Sequence, residues 1–341
     1  MHSLALFLRG LVSMVVMPLA GACALLALAG LAGGLDGRLD IAAHFAPLLA
    51  AMAVLLGLAS LAGLPDLPRT TSLAYAGVAL AAALVLVVPE YVRDRPETAP
   101  ADAPDQITLV QFNAWGGRNR SPERALDWLL ETSPDIIVMP EANATLVRGL
   151  VRNGYSRSCY DAQNGYCGVT IFSRGSPLSR GVVARNTRHD AIPLARAVLR
   201  APDGKSYTVV GAHFVWPTSP QAQERQRRRL ESILKDESDR SRLIVAGDLN
   251  SAPWSHARRE DDRAWGLQRR TLATFSWPTN QVRALGIGVP APLLPIDHVY
   301  AGRAWRTVSI TRGPELGSDH YPVIARLALQ PASALVIEHT P

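Results

Sequence analysis

Leu243-Ile244-Val245-Ala246-Gly247-Asp248-Leu249-Asn250-Ser251 is the stretch that decides the fold. The apolar run Leu243-Ile244-Val245-Ala246 reads as a buried strand. It ends in a carboxylate and a carboxamide two residues apart. Side chains alternate along a strand with period two, so Asp248 and Asn250 leave the sheet in the same direction. An acid and a hydrogen-bond donor are thereby aimed at one small anionic group.

The same arrangement recurs along the chain. Gln111-Phe112-Asn113 closes a strand at 107–112, and Pro140-Glu141 closes another at 135–139. Gly211-Ala212-His213 follows a strand at 207–212, which pairs with 195–199 across Asp203-Gly204. Asp297-His298 lies within a strand at 296–300, and Gly317-Ser318-Asp319-His320 precedes one at 323–329. Each residue alone has a structural reading: Asn113 as a turn residue, Glu141 as a helix-start acid, His213 as a core histidine, Asp297 as an edge-strand charge, Asp319 as a turn cap. Together they converge, because strand ends of one sheet share a place in space. A further strand falls at 169–172, and helices at 121–131 and 220–236. Strands outnumber helices and most helices fall between strands, which gives layered α/β with sheets inside and helices outside. No internal repeat is present.

The set Gln111-Phe112-Asn113, Pro140-Glu141, Gly211-Ala212-His213, Gly247-Asp248-Leu249-Asn250, Ile296-Asp297-His298-Val299 and Ser318-Asp319-His320 resembles the endonuclease/exonuclease/phosphatase superfamily. That superfamily includes deoxyribonuclease I, apurinic endonucleases, inositol-phosphate 5-phosphatases and neutral sphingomyelinases. The resemblance covers roughly 106–329 in order and spacing and implies a four-layer α/β sandwich of the DNase I-like type, with two central sheets. It also implies hydrolysis of a phosphate ester or anhydride with Mg2+ or Mn2+. Glu141 is implied as the metal ligand, with Asn113 and Asp319 assisting. Asp248 would orient or deprotonate the attacking water, sharing the role of base with His320. Asn250 would donate to a non-bridging oxygen, and His213 and His320 would flank the phosphate. Asp297 would hold the His320 ring and raise its pKa. His298 is read as structural, pointing to the other face of its strand.

Apolar residues make up 48% of the 341-residue chain, and the excess is concentrated in residues 1–92. Apolar stretches at 11–32, 41–63 and 70–88 approach the roughly 20 residues a bilayer core requires. They read as three transmembrane helices joined by short turns at Asp36-Gly37-Arg38 and Pro65-Asp66-Leu67-Pro68-Arg69. A cleaved signal peptide over 1–32 is the rival, weakened by the two spans that follow. Residues 93–105 have linker composition, 106–330 form the catalytic domain, and 331–341 a tail.

Arg9 near the start favours a cytoplasmic amino terminus, which after three spans puts the catalytic domain outside; Arg93 and Arg95 argue the other way. Cys159 and Cys167 are close enough for a disulfide, preferred to two neighbouring free thiols because the membrane stretches allow an exported domain, and the pair tips the orientation toward the extracytoplasmic side of the plasma (inner) membrane. The net charge of +6 suits phosphate-bearing or membrane-surface partners and equally a plain basic surface.

Three functions follow. The first is a multi-pass membrane phosphatase or phosphodiesterase acting on a lipid-linked phosphate. An outward-facing domain on three spans also resembles bacterial polyprenyl-pyrophosphate phosphatases linked to glycopeptide resistance, which brings in undecaprenyl pyrophosphate as substrate. The second is a membrane-anchored nuclease, for which Arg225, Arg227, Arg228 and Arg229 would serve unless they are a solvated helix face. The third is an inactive binding module.

Overall fold

The computed structural model describes residues 2–63, 66–159, 168–180, 194–284 and 287–330. Cys167 and the 331–341 tail lie outside them. The chain forms two units. A helical unit comprises Met1–Arg93 with Pro217–Pro220 and Ser251–Glu260, and a sandwich unit comprises the rest.

The helical unit contains α1 (His2–Leu31), α2 (Gly37–His44), α3 (Ala46–Gly63) and α4 (Asp66–Val92). Its interior is small: Ala20, Cys23, Ala24, Ala27, Ala53, Ala79 and Ala82 pack together with Val16 and Leu56. Bulky side chains face outward, with Met14 76% and Leu25 70% exposed. Small residues inside and large apolar ones outside is the inverse of a water-soluble core, and suits helices that approach closely within lipid. Ser13–Gly34 and Pro68–Val92 are long and apolar enough to cross a membrane.

The stretch at 41–63 departs from the expected single span. It is broken between α2 and α3, whose axes differ by 61°. Phe45 takes φ −95°, ψ 10° at the break, two residues before Pro47. Proline has no N–H to donate and its ring crowds the preceding turn, so it is tolerated in the first turn of α3 but not in a continuous helix.

The sandwich unit runs β1 (Gln106–Gln111), α5 (Pro122–Thr132), β2 (Ile136–Pro140), α6 (Ala144–Arg152), β3 (Ser156–Cys159), β4 (Val169–Ser173), β5 (Ser179–Arg180), β6 (Leu194–Arg200), β7 (Ser206–His213), α7 (Pro220–Lys235), β8 (Leu243–Asp248), α8 (His256–Ala264), β9 (Gln268–Arg269), a small β10–β11 hairpin (Arg283–Ala284 with Ile287–Gly288), β12 (Asp297–Ala301), β13 (Trp305–Arg312) and β14 (Val323–Leu329). The first residues of α7 and α8 belong to the helical unit.

One sheet has the order β13-β14-β1-β2-β4-β3 and the other β5-β6-β7-β8-β12-β9. Ile107, Leu109, Ile136, Val138 and Ile171 of the first sheet meet Ala197, Val209, Ile244, Ala246 and Val299 of the second. The alternate residues point outward. Val110, Phe112, Ile137 and Met139 are covered by Ala125 and Leu129 of α5 and Leu146 and Leu150 of α6. Val210, Ala212 and Val245 are covered by Leu230, Ile233 and Leu234 of α7. Both faces of each sheet are buried, which is why the central strands read as continuous apolar runs. The result is the expected four-layer α/β sandwich.

The segment of linker composition is not free throughout. Ala99 N donates to Thr307 O at 2.9 Å, Thr307 N donates to Glu97 O at 2.9 Å, and the Glu97 carboxylate accepts from Arg306 and Gln330. Residues 97–99 thus lie along the outer edge of β13 and occupy hydrogen-bonding groups that an edge strand would otherwise expose.

Candidate active site

The site grows out of strand register. His213 is paired with Asp248 across the parallel β7–β8 ladder, and Asp248 with Asp297 across the antiparallel β8–β12 ladder. Three functional side chains therefore occupy one row across three adjacent strands. Gly247 is dictated by that row, since a Cβ there would overlap the Ala212 carbonyl. From the other sheet, Asn113 follows β1 and Glu141 follows β2, whose strands run parallel and so end together.

The centre is a chain of hydrogen bonds. Gln111 Nε2 donates to Asp297 Oδ1 at 2.8 Å. His320 Nδ1 donates to Asp297 Oδ2 at 2.7 Å, and its Nε2 lies 3.5 Å from Asp248 Oδ2. Asn113 Nδ2 donates to Asp248 Oδ2 at 3.0 Å and lies 3.3 Å from Glu141 Oε1. His213 Nε2 stands 3.6 Å from Asp248 Oδ2 and 3.9 Å from Glu141 Oε1. Asn250 N donates to Asp248 Oδ1, and Asn250 Nδ2 donates to Phe214 O at 2.8 Å. Asp319 stands apart from the row: its Oδ2 accepts from Trp277 Nε1 at 3.2 Å. All eight residues expected to act are gathered here, although Asn113 turns its amide nitrogen, not its oxygen, toward the acids, and its Oδ1 accepts from Trp115 N.

Backbone strain accompanies the site. Glu141 and Asn250 adopt φ +47° and +46°, a left-handed conformation that non-glycine residues rarely take. Such strain persists only where surrounding structure over-determines it, and it gathers at functional sites.

Burial raises the Asp248 carboxyl, and the Asp297 charge adds to that; the nearby His320 and His213 charges pull the other way and leave it at about 6. Burial would push Asp297 up too, but the His320 charge and hydrogen bonds from His320, Ser276 and Gln111 hold it below the ordinary carboxylate range. Burial would lower His320, yet Asp297 and Asp248 carry it up to about 10. Asp319 is raised, first by burial and also by the Glu141 charge, against the opposing pull of His320.

Asp248, Asp297 and His320 bring one donor atom each within 4.8 Å of one another, a set that could hold a metal ion. A protonated imidazole between the two carboxylates already supplies positive charge there, however. Glu141, one-third exposed, is a more open hard-oxygen donor for a divalent cation, and Asp319, raised chiefly by burial, also feels its negative charge. Carboxylate oxygens that repel one another are the chemistry such a cation relieves.

Sequence reasoning named Gln111 and Ser318 only as parts of motifs. Gln111 orients Asp297, while Ser318 Oγ donates to Asn113 O at 2.7 Å and accepts from His320 N, tying the last histidine to the first strand end. Trp277 and Trp216 were missed. Their rings lie 5.1 Å apart at 70°, and Trp216 is 45% exposed. Both sit in loops, where no periodicity marks them. His298 is buried with its Nδ1 3.2 Å from Thr271 Oγ1, in keeping with a structural role.

Known proteins agree with this architecture. A solved endonuclease/exonuclease/phosphatase from Bacteroides vulgatus superposes with a TM-score of 0.55 at 18% identity, over 66% of this chain and 99% of that one. A protein of the same family from Bacteroides thetaiotaomicron gives 0.51 at 14% identity, over 66% and 98%. A functionally unknown conserved protein from Enterococcus faecalis V583 gives 0.53 at 12%, over 66% and 100%. Identities this low speak for the fold alone, but residues 110–320 also match the sequence pattern of the Endonuclease/Exonuclease/phosphatase family, and with the strand-end residues in place the chain belongs to that family.

Proposed function

We propose that the chain is a membrane-bound hydrolase that releases phosphate from a lipid-linked ester or anhydride, with a polyprenyl pyrophosphate such as undecaprenyl pyrophosphate as the leading substrate. The observation that carries this reading is the presence, in one chain, of the Asp248–His320–Asp297 array and a helical unit whose bulky apolar side chains face outward. A site tethered to a bilayer meets lipid headgroups at high effective concentration.

In this reaction Asp248 accepts a proton from the attacking water, and the water oxygen bonds to phosphorus as the bond to the leaving oxygen breaks. A polyprenyl monophosphate leaves as a stable anion and needs no proton. His320, charged through its pairing with Asp297, and His213 face the developing charge on the phosphoryl oxygens, and Asn250, one of whose amide hydrogens is held by Phe214 O, has only its second to offer the same group. A magnesium or manganese ion held by Glu141 and Asp319, with Asn113 beside them, would polarise a phosphoryl oxygen when bound.

Taken as one broken span, α2–α3 would bring the crossings to three, and with Arg9 keeping the amino terminus cytoplasmic this favours an extracytoplasmic sandwich unit. The disulfide bond of Cys159 supports an oxidising, extracytoplasmic location. The nuclease reading has less support. Arg227 is paired with Asp261 at 2.9 Å and Arg228 with Glu224, so at least two of the four arginines of α7 are engaged by acids. Eight mutually arranged site residues weigh against an inactive binding module.

Purified full-length protein should be offered undecaprenyl pyrophosphate, sphingomyelin, inositol phosphates and plasmid DNA, each with and without magnesium. Phosphate release from the lipid pyrophosphate alone is expected. Cleavage of plasmid, falling steeply with salt and without lipid turnover, would overturn the reading in favour of the nuclease.

A further inference from the structure

Asp40 is a carboxylate in α2, 4% exposed, within the apolar helical unit. Its partners are backbone amides more than 200 residues away. Oδ1 accepts from His256 N at 2.8 Å and Oδ2 from Ala257 N at 3.0 Å. These are the first amides of α8, which have no partner within their own helix. The next, Arg258 N, is capped locally by Ser255 Oγ at 3.2 Å. An N-cap is ordinarily supplied by the residue just before the helix; here a carboxylate from α2 supplies most of it, favoured further by the positive end of the helix dipole.

Other bonds fasten the same segment. Trp254 Nε1 donates to His44 O at 2.9 Å, His256 Nε2 lies 3.1 Å from Gly30 O, and the Arg259 guanidinium donates to Leu86 O. Glycines permit the close approach. A Cβ at Gly33 would lie 2.7 Å from Asp40 Cα and 2.9 Å from His256 Cδ2, and one at Gly37 would lie 2.8 Å from Pro220 Cβ. The segments held here, Pro217–Pro220 and Ser251–Glu260, follow closely in the chain on His213 and Asn250.

We propose that Asp40 is a positioning residue for the phosphate site: by fixing the start of α8 it fixes the segment continuous with Asn250, so that turnover depends on a carboxylate of the apolar helical unit. This rests on the hydrolase reading above, though not on which lipid is cleaved. The left-handed backbone of Asn250 is the kind of conformation that needs such outside support.

The test uses full-length Asp40→Ala, Asp40→Asn and Asp40→Glu proteins in lipid nanodiscs, with hydrogen exchange read across 248–260 and kinetics read on bis(p-nitrophenyl) phosphate with magnesium. In Asp40→Ala, exchange should rise about tenfold at 256–257 and also at 248–251, and kcat should fall about tenfold or more with KM nearly unchanged. Asp40→Glu should recover most of both. Should Asp40→Ala fail to fold, Asp40→Asn reports the same two quantities. Faster exchange confined to 256–260 with kcat intact would overturn the proposal, as would no change in exchange at all. If the wild type fails to turn over the probe, the hydrolase reading is what fails on it, and exchange at 248–251 still decides the role of Asp40.

Discussion

Replacing Asp297 with Asn removes one charge from the centre of the site while keeping its shape. Asp297 Oδ2 lies 2.7 Å from His320 Nδ1, and Asp248 Oδ2 lies 3.5 Å from the other ring nitrogen. Burial by itself would lower the His320 pKa; the two carboxylates reverse this and carry it from 6.5 to about 10. That rise corresponds to roughly 5 kcal/mol at 1.36 kcal/mol per unit. Asp297 supplies the larger charge effect and also the hydrogen bond, so the variant removes more than half, roughly 3 kcal/mol, and brings the titration down to about pH 8. The assay is a histidine NMR titration of metal-free, full-length protein, alongside thermal stability over the same pH range. His320 is raised in the fold, so its stabilising contribution is complete below about pH 6.5 and is lost as pH climbs through about 10. Asp297 is lowered in the fold, so its contribution is present above its ordinary carboxylate pKa and is lost as pH falls through the depressed one. In Asp297→Asn the alkaline loss should start about two pH units earlier than in wild type. A wild-type His320 titrating near its ordinary value, or a variant whose titration stays where the wild type's is, would refute the reasoning.

Asp248→Asn and His320→Ala should each lower turnover by about 100-fold or more, with circular dichroism unchanged, because each removes a group acting on the reacting water or phosphate; substantial residual rate in both would displace them from the site. Glu141→Gln should raise the magnesium concentration needed for half-maximal activity by about tenfold while leaving thermal stability within about 1 kcal/mol, since it loses a charged oxygen ligand at a partly exposed position. Gly247→Ala should destabilise the sandwich by about 4 kcal/mol or more, seen as loss of the cooperative melt, because its Cβ overlaps the Ala212 carbonyl in a paired ladder; a near-wild-type melt would show that β7 and β8 can move apart.

The four-layer sandwich was legible because its central strands are buried on both faces and so read as apolar runs, each punctuated by the residue that acts. The row His213, Asp248, Asp297 is visible as three such punctuations, and the register then brings them together. β13 was missed for the opposite reason. Its residues are mostly half-buried, from Arg306 to Ile310, and a bulge between Thr307 and Ser309 breaks the alternation. α6 begins at an Asn143 cap and buries only Leu146 and Leu150, too short a stripe to stand out. The break between α2 and α3 lay hidden because apolar content records how greasy a segment is, not whether its backbone is continuous.

Asp297 and Asp40 are both buried acids, and the contrast between them shows what a sequence can disclose about a site. Asp297 binds side chains, His320 just before β14 and Gln111 at the end of β1, which carry their own chemistry, so the partners announce one another. Asp40 binds backbone amides, which every residue but proline possesses, so nothing at 256–257 marks them as its partners. What the sequence does hold is the steric side of that joint. Gly33, Gly34 and Gly37 flank Asp36 between two apolar stretches. Gly33 and Gly37 each stand where another residue's Cβ would press on a neighbour, Asp40 and His256 in one case and Pro220 in the other. A buried acid beside clustered glycines in an apolar helical hairpin therefore marks a surface held against other backbone. In this chain that backbone leads directly out of Gly247-Asp248-Leu249-Asn250.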